Sequence, residues 1–162
     1  MKLSVRLQTY NQDKFILEAI QSVVDQKTDF KFELVIGEDF SQDNTKKIIQ
    51  DFIAKGWENS NLSIKLLERE VNDAYYVERQ KQGRLYNFVD ILNNCTGEYI
   101  ALLDGDDYWT DELKLQKQVD FLENNKSYAA VFHRAMRLVG STETVILEDW
   151  NENREVTDEV IV

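Results

Sequence analysis

"ALLDGDDYW", residues 101–109, decides how this chain is read. An apolar run from Ile100 to Leu103 stops abruptly, and Asp104, Asp106 and Asp107 follow within four positions. A continuous apolar run bounded by turn residues predicts a strand covered on both faces, as in parallel sheets. Two explanations fit the acids at its end. Asp and Gly are ordinary turn residues, so the stretch can be a solvated turn. Alternatively, carboxylates crowded together repel one another until a hard divalent cation joins them.

Outward from this stretch, the pattern alternates. "LSVRLQ" (3–8) and "FKFELVIGED" (30–39) predict strands, and "LSIKLLE" (62–68) a shorter one. Between the first two lies a helical stretch with Ile16, Ala19, Ile20 and Val23 on one face and Asn11 or Asp13 as N-cap. After the second comes "SQDNTKKIIQDFIAKG" (41–56), capped by Ser41 or Asp43, striped by Ile48, Ile49, Phe52 and Ile53, and stopped by Gly56. A further helix is expected over about 77–94. After the acidic stretch, "TDELKLQKQVDFLENN" (110–125) predicts a helix with acids in its first turn and Leu115, Val119 and Leu122 on its apolar face. "YAAVFHRAMRLV" (128–139) predicts a fifth strand, with "STETVIL" (141–147) as a partner for it.

Such alternation implies an α/β fold, a mainly parallel central sheet with helices on both faces. Ligands of such sheets sit beyond the carboxyl ends of the strands. Asp104–Asp107 lie at one such end, and Glu38 and Asp39 at another, so the two acidic groups are expected on one rim. An EF-hand calcium loop is ruled out. Counted from Asp104, its fifth, sixth and twelfth positions are Tyr108, Trp109 and Leu115, where an oxygen ligand, Gly and Glu are needed.

Composition bounds the rest. The 162 residues suit one domain, with 43% hydrophobic residues and no apolar stretch long enough to span a bilayer. The start, "MKLSVRLQTY", lacks the apolar core of a signal peptide, and Cys95 is the single cysteine, so a cytoplasmic setting is expected. The net charge of −11, with basic residues scattered, argues against nucleic acid as a partner. An anionic ligand then needs a cation between itself and the acids. Residues 1–140 read as one α/β unit and 141–162 as an acidic tail or the start of a further region.

Four stretches taken together resemble the family 2 glycosyltransferases. They are "LSVRLQTYNQDKFILEAIQSVVDQ", "FELVIGEDFSQDNT", "GEYIALLDGDDYW" and "DELKLQKQVDFLE", in order over most of residues 3–124. The resemblance implies the Rossmann-like A-type glycosyltransferase (GT-A) fold. It also implies a nucleotide-diphosphate sugar as donor (UDP-linked by preference), Mn²⁺ or Mg²⁺ as cofactor, inversion, and a saccharide or other hydroxyl as acceptor. Relatives of this kind can associate peripherally with membranes.

Roles carry over by position. Asp39 matches the carboxylate that hydrogen-bonds the base, and Gln8, Thr9 and Tyr10 the turn lining the nucleotide pocket. Arg79 falls where an arginine can stand near base and phosphates. Arg84 and Asn87 match an Arg-Asn helix, with a structural role equally open. Asp104, with Gly105, matches the group facing the ribose and a metal-bound water, Asp106 the direct metal ligand, and Asp107 an acceptor-side or catalytic group. His133 is either a core or rim histidine or an additional metal ligand. Trp109 is expected to pack under the acidic turn, and Cys95 to be buried rather than nucleophilic.

Departures are informative. Gln8 stands where many members have Pro, Glu38 replaces the first of an Asp pair, and Phe40 stands where Gly is common, so a different turn is expected there. The family's catalytic base usually lies in a Glu-Asp pair well beyond the acidic strand end. Here Glu148 and Asp149 come early, which leaves Asp149 as a candidate base and a donor-binding portion without its acceptor half as the alternative. A different class, a phosphohydrolase with Asp104 as nucleophile, needs Thr where Tyr108 stands.

Overall fold

The computed structural model describes residues 1–133, 135–139 and 142–145. Four parallel strands, β1 (Leu3–Thr9), β2 (Phe32–Glu38), β3 (Leu62–Leu66) and β4 (Tyr99–Asp104), form a sheet in the order β3-β2-β1-β4. The connecting helices are α1 (Ile16–Val24), α2 (Thr45–Lys55), α3 (Ala74–Gln82) and α4 (Leu85–Asn94), and α5 (Lys114–Asn124) follows β4.

Strand periodicity sorts the side chains. Leu3, Val5 and Leu7 align in register with Phe32, Leu34 and Ile36 on one side and with Tyr99, Ala101 and Leu103 on the other. This face meets Ile16, Ala19, Ile20 and Val23 of α1, Ile49 of α2, and Leu115 and Val119 of α5 in one core. The opposite face carries Ser4, Arg6 and Gln8 beside Glu33, Val35 and Gly37, and α4 covers it through Ile91, with Cys95 partly buried alongside. A Cβ on Gly37 would lie 2.4 Å from Ile91, so only glycine admits α4 this close. Helices on both faces of a parallel sheet are thus as expected.

Several elements differ from expectation. The helix expected over 77–94 is two, α3 and α4, because Gly83 takes φ 75 and closes the first; Asp73 caps α3 by accepting from the Tyr76 amide. α1 begins at Ile16 without a side-chain cap. Asn11 instead takes φ 52, and Asp13 donates its amide to Asp43 Oδ2, so these residues form a turn. Likewise α2 starts after Asn44, so the expected cap Asp43 lies one position outside the observed one, although it still accepts from the Thr45 amide. α5 starts at Lys114, leaving Asp111 and Glu112 in the preceding turn rather than in its first turn.

Among the described residues β4 is not covered on both faces. It is an edge strand of this sheet, and Ile100 and Leu102 are 42% and 53% exposed. Of the expected fifth strand only β5 (Met136–Val139) forms; residues 128–133 are irregular. β5 pairs antiparallel with β6 (Thr142–Val145), as expected, but in a separate two-stranded sheet. Among the described residues no helix is long and apolar enough to cross a membrane.

Candidate functional site

Three strand ends meet on one rim. Parallel pairing sets Thr9 beside Glu38 and Gln8 beside Asp104. Main-chain bonds then extend the ladder past the strands. The Asp39 amide donates to the Thr9 carbonyl (3.1 Å), and the Gly105 amide donates to the Gln8 carbonyl (3.0 Å). The two acidic groups expected on one rim are therefore bonded to consecutive residues of β1.

Asp39 is 6% exposed, and its carboxylate is anchored by neighbouring side chains. It accepts from the Tyr75 hydroxyl (2.8 Å) and from Arg79 through Nε (2.9 Å) and Nη2 (2.8 Å). Pairing with Asp39 raises the Arg79 pKa, while burial and then the Asp39 carboxylate push the Tyr75 phenol up. Phe40 holds a left-handed backbone, at φ 60, with its ring 5.4 Å from that of Tyr76 and 6.0 Å from that of Tyr75. Aromatic packing offsets a backbone cost of about 1–2 kcal/mol. Glu38, buried, accepts from the Ser41 amide and so shapes the turn.

On the other side of the rim, Thr9 donates to Gln12 Oε1 (2.7 Å), and Gly105 lies against both. The Asp107 amide donates to the Asp104 carbonyl, folding the acids into a tight turn. Arg6 Nη1 stands 3.0 Å from Asp104 Oδ1. Asp106 and Asp107 are exposed and, among the described residues, have no cationic partner. The Asp107 pKa is raised by burial and then by Asp106 and Asp104. Trp109 packs beneath the turn as expected, buried in the main core.

Arg84 reaches over the Tyr10 ring, 5.5 Å from its centroid, which brings it beside the turn that follows β1. Asn87 is structural: buried, it donates to the Gly37 carbonyl and accepts from Arg69 (2.7 Å). His133 lines a separate recess of about 440 Å³ beside Leu102 and Lys114, and that recess contains none of the acidic turn. Asp149 lies outside the described residues. A wider cleft of about 1030 Å³ lies near Trp57 and Gln26, where the Gln26 and Asn59 amides are spent on main-chain carbonyls.

Among the described residues no three His, Cys, Asp or Glu side chains gather into a metal cage. The unpaired Asp106 and Asp107 instead suit a hard cation that takes one or two carboxylates and completes its shell with phosphate oxygens and water. Mn²⁺ or Mg²⁺ fits this donor set.

Three residues were missed in the sequence: Arg6, Arg69 and Tyr75. Arg6 carried a signal, a lone charge within an apolar strand. Arg69 bonds the Glu38 carbonyl, Asn87 and Asp90 and lies 3.6 Å from the Tyr75 ring centroid, tying the segment after β3 to α4. Nothing in its local sequence marks it.

This geometry is that of the A-type glycosyltransferase fold. Over 78% of its length the chain is similar to Staphylococcus aureus TarS 1–349 crystallised with UDP, with a TM-score of 0.56 and 28% identity, covering 33% of that chain. The same TarS fragment has been solved with UDP-GlcNAc, where the likeness has a TM-score of 0.54 at 29% identity. In sequence the chain is 38% identical over 125 residues to the Mycobacterium tuberculosis protein Rv1520, covering 77% of this chain and 32% of that protein. It is 32% identical over 130 residues to the putative glycosyltransferase EpsE of Bacillus subtilis, covering 80% and 41%. The chain belongs to glycosyl transferase family 2, whose model matches residues 4–159. It spans about a third of the length of the first relatives it matches.

Proposed function

We propose that the chain binds a nucleotide-diphosphate sugar, by preference a UDP-sugar, and serves metal-dependent, inverting transfer of that sugar to a hydroxyl acceptor. One observation carries this reading. Asp39 and the acidic turn are fixed to Thr9 and Gln8 by main-chain bonds, so a base-side acceptor and a phosphate-side acid group stand on one rim. A nucleoside diphosphate needs both, since its base edge offers an N–H donor and its diphosphate carries concentrated negative charge. The TarS complexes with UDP and UDP-GlcNAc support the choice of donor.

In this reading Asp39 accepts from the base, with Tyr75 and Arg79 holding its carboxylate in place. Gln8, Thr9 and Tyr10 line the pocket, and Arg84 stands over Tyr10 where a phosphate can reach it. Asp104 and Gly105 face the ribose. Asp106 holds the cation, with Asp107 beside it; bound there, Mn²⁺ or Mg²⁺ supplies Lewis-acid stabilisation of the departing diphosphate. In transfer, the acceptor oxygen bonds to the anomeric carbon as the bond to phosphate breaks, and the acceptor proton passes to a carboxylate. Asp107 is one candidate for that carboxylate, and Asp149 the other.

Calorimetric titration with UDP, with and without Mn²⁺, on the wild type and on Asp106→Ala tests the reading. Binding is expected only in wild type with Mn²⁺, weakening at least tenfold when either is withheld. Equal affinity in all four conditions overturns it.

A further inference from the structure

Arg6 is unusual for its place. It sits mid-strand in β1 between Val5 and Leu7, which are fully buried on the other face, and is itself 4% exposed. α4 covers it, and its guanidinium carbon lies 4.4 Å from the centroid of the Phe88 ring. Burial lowers its pKa, and the Asp104 charge opposes that shift. Burying a guanidinium is costly, so its single ionic contact needs a reason.

That contact is directional. Register places Arg6 beside Leu102 and Gln8 beside Asp104, so Arg6 reaches diagonally, two residues along β4, to Oδ1 of Asp104. Its Nε is buried with no hydrogen-bond partner among the described residues. The guanidinium thus makes its Asp104 bond at the expense of a fully satisfied fork. Of the three acids in the turn, Asp104 alone has a cationic partner among the described residues.

We propose that Arg6 is a positioning residue that divides the labour of the acidic turn. By fixing Oδ1 of Asp104 to the protein, it withholds that carboxylate from the cation and leaves Oδ2 to accept a hydroxyl of the nucleoside. Asp106, unpaired, is then the first ligand of the cation. The inference rests on the donor-site reading above and goes beyond it, because it assigns the selection between two neighbouring carboxylates to a side chain on a different strand.

A structural role alone, with Arg6 merely packing α4 onto the sheet, predicts a different outcome. The test compares wild type, Arg6→Met and Arg6→Lys by two measurements. The first is the ratio of UDP to 2′,3′-dideoxy-UDP affinity in saturating Mn²⁺, by calorimetry. The second is Mn²⁺ affinity without nucleotide, by the EPR signal of the free ion. Met retains the apolar stem against Phe88 and removes a buried cation, so folding is expected to persist.

In wild type, UDP is expected to bind about tenfold or more tightly than its dideoxy analogue. In Arg6→Met that ratio falls to within about threefold, and Mn²⁺ binds several-fold more tightly because Asp104 is released to it. Arg6→Lys restores part of both. Wild-type values in a folded Arg6→Met overturn the proposal. If Arg6→Met does not fold, Arg6→Leu, equally uncharged and apolar, decides it, and wild-type values there overturn the proposal. Wild type that binds UDP without regard to Mn²⁺ overturns the donor-site reading instead, and the inference with it.

Discussion

Gly105 shows how much a single residue can decide at this rim. A Cβ there would stand 2.5 Å from Gln12 Oε1 and 2.7 Å from Thr9 Oγ1, inside the contact distance of either atom. Those two atoms are hydrogen-bonded to each other, and the Gly105 amide is bonded to Gln8, so a methyl group cannot be admitted without moving the turn that carries Asp106. Gly105→Ala is expected to weaken Mn²⁺-dependent UDP binding about tenfold, while lowering the melting temperature by only a few degrees. Calorimetry and a thermal melt on the same sample separate the two effects. Unchanged UDP affinity would show that the placement of the turn does not matter. Phe40 makes the complementary point. It adopts a left-handed backbone that glycine takes at no steric cost, and offsets its own cost there through its ring contacts.

At the scale of the element, α5 carries a buried charge. Lys114 is 9% exposed, donates to Gln118 and lies 4.0 Å from the centroid of the Trp109 ring, and burial pulls its pKa down to about 8. An unfolded lysine keeps its proton to about 10.4. Between those values the unfolded chain binds more protons than the native one, so this group's contribution to stability rises with pH from about 8 and levels off above 10.4. Below 8 its cost is constant, on the order of 3 kcal/mol before the Gln118 and Trp109 contacts are counted. Lys114→Met should therefore gain stability at pH 7 relative to wild type, and the gain should shrink by pH 10.5. Urea denaturation of both proteins at the two pH values checks this; a gain independent of pH would place the effect in packing rather than charge.

Legibility also varies by element. Strand and helix alternation could be read because each element's apolar period is consistent with its burial: Leu3, Val5 and Leu7 alternate, and Ile16, Ala19, Ile20 and Val23 follow a helical face. The acidic groups of β2 and β4 could be read because parallel topology alone sends their carboxyl ends to one rim. The division between α3 and α4 was missed although Gly83 marks it, because helical composition continues on both sides. The cover over β4 was misjudged because an apolar run reads the same whether a neighbour covers it or not. The Arg6–Asp104 pair depends on a diagonal contact between strands 98 residues apart, which no local pattern encodes.

At the scale of the molecule, the face of β4 left uncovered among the described residues has a consequence for association. Ile100 and Leu102 stand exposed on an edge strand, in a protein otherwise kept apart by its net charge of −11. Exposed apolar edges of this kind promote association. The 162-residue chain is expected to self-associate at high salt, where charge repulsion is screened, and Leu102→Lys to suppress this without altering UDP affinity. Light scattering across a salt series reads the first outcome and calorimetry the second.

The bonds that join Asp39 to Thr9 and Gly105 to Gln8 have one more consequence. Asp39 and the acidic turn sit on the strands flanking β1, two sheet spacings apart, roughly 10 Å. No loop intervenes to let that span stretch, so in the proposed function the rim works as a caliper closed on the nucleoside and its phosphates. A caliper gauges the carrier and is indifferent to the cargo. Discrimination among sugars must then come from side chains that are not attached to these strand ends.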